Sequence, residues 1–128
     1  MWNITVGGII NNIRQQHKEL MRATAINIHR HIVLDSPVDT GTYRNNHHIS
    51  FNAPDPRYKL NDGGVNEIVA FFGGDQQTLL RNADLANVHT IYIQNNVPYA
   101  EYLEYGTDKM AALNIYSRGI QIGIATLR

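Results

Sequence analysis

Six histidines come first among the residues that could do chemistry, because paired imidazoles bind metals and single ones move protons near neutral pH. Their spacing argues against a metal. His29 and His31 stand two apart in a helical stretch and project from different faces. His47 and His48 are adjacent in an alternating stretch and point to opposite faces of a strand. No pair has the four-residue spacing of a helical zinc site, and carboxylates at ligand spacing are missing. Cysteine is absent, which removes disulfides, thiolate catalysis and cysteine metal sites together. The histidines read as scattered surface or partly buried imidazoles, and neither a metal nor a cofactor is expected.

A second candidate is Asp39-Thr40-Gly41, the triplet that aspartic proteases use when two carboxylates share a proton. A short chain without cysteine suits the retroviral type, which dimerises. The context does not suit it. In those enzymes the triplet lies on a loop between strands, whereas here Ser36-Pro37 closes a long helical stretch. Their later apolar-apolar-Gly element has one counterpart, Phe71-Phe72-Gly73, and it follows Asp39 too soon. A protease built on Asp39 is therefore a distant alternative, and the expectation is that the protein is not an enzyme. Tyr92, Tyr99, Tyr102 and Tyr105 cluster in one stretch. Tyrosine there points to a core or a subunit interface before a platform for bases or sugars. The Gly63-Gly64 and Gly73-Gly74 doublets are turn chemistry and lack the strand-loop-helix setting of a phosphate loop.

The elements that position these residues follow from periodicity. Over residues 9–34, Ile10, Ile13, Leu20, Thr24, Ile28 and Ile32 fall at helical spacing, with His17 and His31 on or near the stripe. Pro37 stops that helix. At about 25 residues it would be some 37 Å long, as long as the domain is wide. His47, Ile49 and Phe51 alternate with His48, Ser50 and Asn52 as in a half-buried strand. Residues 58–60, the turn of residues 61–64 and residues 68–72 look like a hairpin. Residues 76–87 read as a short helix or a loop, and residues 89–95 as a strand with Ile91 and Ile93 on one face. Pro98 starts a short helix that Gly106 closes, with Tyr99, Tyr102 and Leu103 on one face. Leu113, Tyr116, Ile120, Ile124 and Leu127 favour a C-terminal helix. The expected fold is α+β and a single domain over residues 1–128. Its long N-terminal helix packs on a small antiparallel sheet, with a short helix after the last strand and a C-terminal helix.

Eleven basic residues balance eleven acidic ones. Nucleic-acid binders usually carry a basic excess, because phosphate neutralisation supplies much of their affinity, and none is present here. The charged fraction is 17%, against about 25% in an average globular chain. So sparse a charge suits a protein that works packed against copies or partners. Residues 1–8 lack the marks of a signal peptide, and no stretch approaches the roughly 20 apolar residues that span a bilayer, so a soluble protein without a membrane partner is expected.

Two segments are more specific than any of this. One runs Ser36-Pro37-Val38-Asp39-Thr40-Gly41-Thr42-Tyr43-Arg44; the other runs Asn95-Asn96-Val97-Pro98-Tyr99-Ala100-Glu101-Tyr102-Leu103-Glu104-Tyr105-Gly106-Thr107. A long amphipathic helix entering the first, then a strand entering the second, resembles the tail-completion or neck family. These are small tail-component proteins that join heads to tails in long-tailed bacteriophages. The likeness follows the order of elements from residue 10 to residue 107 and rests on the two motifs. The family often has Leu before the Arg and a small polar residue soon after; here Tyr43 and Asn45-Asn46 stand there, and no match extends past Thr107.

The resemblance implies a structural virion protein at the head–tail junction, present in host cytoplasm during assembly. Copies would form a hexameric ring between the head connector and the tail terminator or tail tube. DNA would pass nearby without specific binding. A minor tail-assembly protein at the tube end is the nearer alternative, while a small regulatory domain such as an antitoxin would leave the paired motifs unexplained. The long helix and the hairpin of residues 54–74 are the elements expected to reach neighbours. Pro37, Asp39, Thr40, Gly41, Arg44, Pro98, Tyr99, Ala100, Glu104, Gly106 and Thr107 become structural residues of the motifs. Asp39 can accept from the amides after it and Gly41 can take positive φ, making a rigid corner. Glu101 or Glu104 is the expected ion-pair partner of Arg44.

Overall fold

The computed structural model describes residues 3–5, 18–38 and 41–126. Strand β1 (Asn3–Thr5) is followed by helix α1 (Lys18–Asp35), a single turn α2 (Thr42–Asn45) and strand β2 (His48–Phe51). Helices α3 (Val65–Phe71) and α4 (Gln76–Asn82) precede strand β3 (Ile91–Gln94), and α5 (Ala100–Tyr105) and α6 (Ile115–Ala125) complete the chain. The sheet has the order β1-β3-β2 and both pairings are antiparallel. Ile93 sits in the centre, opposite Ile4 on one side and Ile49 on the other. The α+β class and the helix after the last strand are as the sequence predicts.

Helix α1 packs chiefly on α6. It buries Met21, Thr24, Ala25, Ile28 and Ile32, while Leu20 is 52% exposed. Thr24, Ile28 and Ile32 of the predicted stripe are thus buried, while Leu20 is not and Met21 and Ala25 are buried beside them. The cause lies on α6, whose buried face is Ile115, Tyr116, Gly119 and Gly123. A Cβ on Gly119 would lie 2.5 Å from Cγ1 of Ile32, and one on Gly123 would lie 2.8 Å from Cα of Ile28. Ile28 and Ile32 therefore fill the space that two missing side chains leave, and the backbones come close enough for Nδ2 of Asn27 to donate to the carbonyl of Gly123 at 2.7 Å. The first half of the expected long helix, residues 9–17, lies outside the described residues.

The expected hairpin of residues 58–72 does not form. Gly64 (φ 103°) opens α3 instead, and Ile68 and Phe72 pack inward at helical spacing. The segment before it is held as a loop by side-chain amides. Asn46 donates to the carbonyls of Thr42 and Lys59 and accepts from the amide of Lys59. Gln94 accepts from the amide of Asp55, and Asn96 donates to the carbonyls of Asp55 and Arg57. These contacts satisfy backbone groups that a hairpin would have paired with each other. Residues 76–82 resolve the second ambiguity as a helix, capped by Asp75 and tied to α1 by Arg22, which donates to the carbonyls of Leu80 and Ala83. Pro98 lies in the turn before α5 rather than at its first position, and Gly106 (φ 78°) ends that helix as expected.

Replacing an exposed helical Gly by Ala normally stabilises by ~1 kcal/mol. Gly123→Ala should do the reverse and destabilise by ~1–3 kcal/mol, since its Cβ meets the backbone of Ile28 as well as its side chain. Gly119→Ala, which meets the side chain of Ile32, should cost less. Urea denaturation of both variants would read this, and a Gly123→Ala protein as stable as wild type would refute the close approach.

Candidate functional site

The residues with chemical potential gather around His47, 2% exposed at the start of β2. Its Nε2 lies 2.7 Å from Oγ of Ser36, and its Nδ1 lies 2.8 Å from the hydroxyl of Tyr116 and 3.2 Å from Nδ2 of Asn95. The Ser36 hydroxyl donates to the carbonyl of Ile32 at 2.6 Å. It must then accept from His47, which places the imidazole proton on Nε2 and leaves Nδ1 to accept from Tyr116 and Asn95. The neighbouring His29 repeats the logic: Nε2 faces the carbonyl of His47 at 3.1 Å, and Nδ1 faces the side-chain amide of Gln77. His48 completes the group with Nδ1 on the carbonyl of Asn46, Nε2 on the carbonyl of Asp55 and its ring stacked on Phe72.

Burial holds the His47 imidazole well below its ordinary 6.5, and His29 and His48 add to the effect. Burial likewise lowers His29. Burial raises both phenols, Tyr43 with help from Glu104 and Tyr99, and Tyr116 with help from Tyr43 and Glu104. A Ser–His contact of this length is what a nucleophile and its base require, but here the proton runs from His to Ser and both groups are buried. The arrangement is a joint between α1, β2, β3 and α6. The reading of the histidines as scattered surface or partly buried groups is thus corrected for His29, His47 and His48, all more than nine-tenths buried. What sequence periodicity lacks is any signal that polar side chains would pair across elements.

The two motifs meet at the surface beside this joint. Pro37, Gly41, Tyr43, Tyr99 and Leu103, with Leu60, line an apolar groove of about 470 Å³. Gly41 has φ 80°, as the corner requires. Asp39 and Thr40 lie outside the described residues. The Tyr43 hydroxyl is buried without a hydrogen-bond partner among the described residues. Tyr99, Tyr102 and Tyr105 are exposed along α5, so they belong to the surface and not to the core. Pro98 and Thr107 are also exposed, and Ala100 is buried.

Arg44 and Glu104 do not pair. The Glu104 carboxylate, 2% exposed, accepts from the amides of Tyr116 at 2.9 Å and Ser117 at 3.2 Å, so it caps α6. Arg44 instead lines a separate cleft of about 110 Å³ with His29, Val33, Val69, Phe72 and Asp75. The expected ion pair is replaced because two free amides at a helix start claim the buried carboxylate first. Phe71-Phe72-Gly73 ends helix α3 and is not the strand-borne element a protease would need. Among the described residues no cluster of histidines and carboxylates could hold a metal ion. In comparisons with protein-family models, curated proteins and solved structures, the chain matches none.

The stability of this joint depends on pH. His29 and His47 are neutral in the fold, while in the unfolded chain they take up protons near their ordinary 6.5. Their contribution is therefore complete above pH 6.5 and is lost as pH falls below it, at up to ~1.4 kcal/mol per pH unit for each histidine. Urea titrations at pH 7.5 and 5.5 should show the loss. A stability that is flat across that window would contradict the neutral assignment. In the same titrations at pH 7.5, Arg44→Ala and Glu104→Ala should act additively within ~0.5 kcal/mol, and a larger coupling would restore the ion pair.

Proposed function

We propose that the protein is a structural component of a tailed-bacteriophage virion that joins head and tail, working as one subunit of an oligomeric ring and not as an enzyme. The observation that carries this reading is the meeting of the two motifs. Pro37 and Gly41 of the first and Tyr99 and Leu103 of the second are far apart in sequence yet line one groove. A motif that exists to build a surface behaves this way, and exposed tyrosines beside it are what interfaces favour. The balanced charge fits a subunit that lines a DNA passage without gripping phosphate. The inward direction of the Ser36–His47 contact supports a mechanical reading over a catalytic one.

The test is negative-stain microscopy of lysates from a phage carrying an early stop codon in this gene. The expected picture is filled heads and finished tails lying unjoined, rescued by adding the purified protein. Heads without tails would move the protein into tail-tube assembly, and intact virions would overturn the structural reading.

A further inference from the structure

Arg44 stands apart from the other lysines and arginines among the described residues. Lys18, Arg22, Arg30, Arg57 and Lys59 each have a partner. Arg81, Lys109 and Arg118 are exposed to water. Arg44 is half-buried in its cleft and has neither a hydrogen bond nor an ion pair among the described residues. A partly buried guanidinium with no partner among the described residues gains from an anionic group that arrives from outside. Asp75 lies on the same cleft, which makes the surface a plus–minus pair rather than a general anion site.

The complementary pair is found elsewhere on the chain. Residues 107–110 form a tight turn closed by Thr107 N to Met110 O at 2.8 Å and Met110 N to Thr107 O at 3.3 Å. The turn is braced from behind, because Gly106 is packed so closely that a Cβ would lie 2.7 Å from the Met110 carbonyl. Its tip is Asp108-Lys109, both exposed and neither in an ion pair among the described residues. Tyr105 and Met110, 66% and 38% exposed, flank the tip with apolar surface.

We infer that the turn of residues 107–110 in one copy docks on the Arg44 cleft of the next, with Asp108 against Arg44 and Lys109 against Asp75. The inference rests on the ring reading above and names the contact that would close it. The turn and the cleft share no residue, as a head-to-tail contact requires, since one subunit can then give and receive at once. The cleft, at about 110 Å³, admits a carboxylate and not the whole turn, so Tyr105 and Met110 would cover its rim. A contact made by one four-residue turn is weak by itself, and closure of the ring supplies the rest.

Sedimentation velocity of the full chain, from micromolar to millimolar concentration, tests the contact. Wild-type protein should self-associate, and added salt should weaken it. Arg44→Glu and Asp108→Arg should each weaken association roughly tenfold or more, because each sets like charges face to face. The chain carrying both reversals should recover association. Asp108 lies on an exposed tip, so its reversal reads binding even if Arg44→Glu disturbs the fold, and Arg44→Gln serves as the milder partner. Association that survives both reversals, or fails to return in the double reversal, overturns this contact and leaves the ring standing. A wild-type chain that stays monomeric at every concentration overturns the contact and any ring of free copies with it.

Discussion

A single imidazole holds the layers of this protein in register. His47 receives hydrogen bonds from Tyr116 on α6 and Asn95 beyond β3, gives one to Ser36 at the end of α1, and offers its own carbonyl to His29. A neutral imidazole has one donor and one acceptor, and both are used. Each partner also has a second duty: Ser36 holds the last turn of α1, and Asn95 holds the carbonyl of Tyr43. Moving any one element would therefore strand a polar group in the dry interior, which costs ~1–3 kcal/mol per group. The apolar core fixes how much is buried; this network fixes which arrangement buries it.

The helix pair on which the network rests is set by absence of side chains. Gly119 and Gly123 let α6 lie directly against Ile28 and Ile32, and the closeness brings Asn27 within reach of the α6 backbone. Tyr116 stands one turn before Gly119 on the same buried face, so the approach that the glycines permit also delivers its hydroxyl to His47. Packing and polar network are one constraint seen from two sides.

This explains what could be read from the sequence and what could not. Helix α6 was legible because Tyr116, Ile120 and Ile124 keep helical spacing, but half of its buried face is carried by Gly119 and Gly123, which no hydrophobic pattern marks. Helix α3 read as a strand because residues 68–72 form one short apolar run flanked by glycine doublets, and such runs carry both periods. The loop before it depends on the amides of Asn46, Gln94 and Asn96, whose partners are distant in sequence. The motif corner was legible in Gly41, because positive φ is a local property of one residue. The Arg44–Glu104 pair was misread for the opposite reason: the winner for Glu104 was a pair of backbone amides, and every residue has one to offer.

The same residues explain why a stiff interior and an adaptable exterior coexist in so small a chain. Among the described residues the ion pairs are local: Glu19 with Arg22, Asp55 with Arg57, Lys59 with Asp62. None of these pairs ties distant elements together, so the pairs themselves carry little of the fold. Long-range ties come from neutral groups inside, Asn27, His47, Asn95 and Tyr116, together with Lys18 and Arg22, which reach the carbonyls of Val88, Leu80 and Ala83. Asn95 fixes the turn that carries Arg44, and Glu104 ties the helix that leads to Asp108 to α6; a surface held this way loses little freedom when a partner arrives. In the proposed ring that is an advantage: contacts too weak to hold two copies can hold a closed circle, provided each copy presents the same rigid angle to the next.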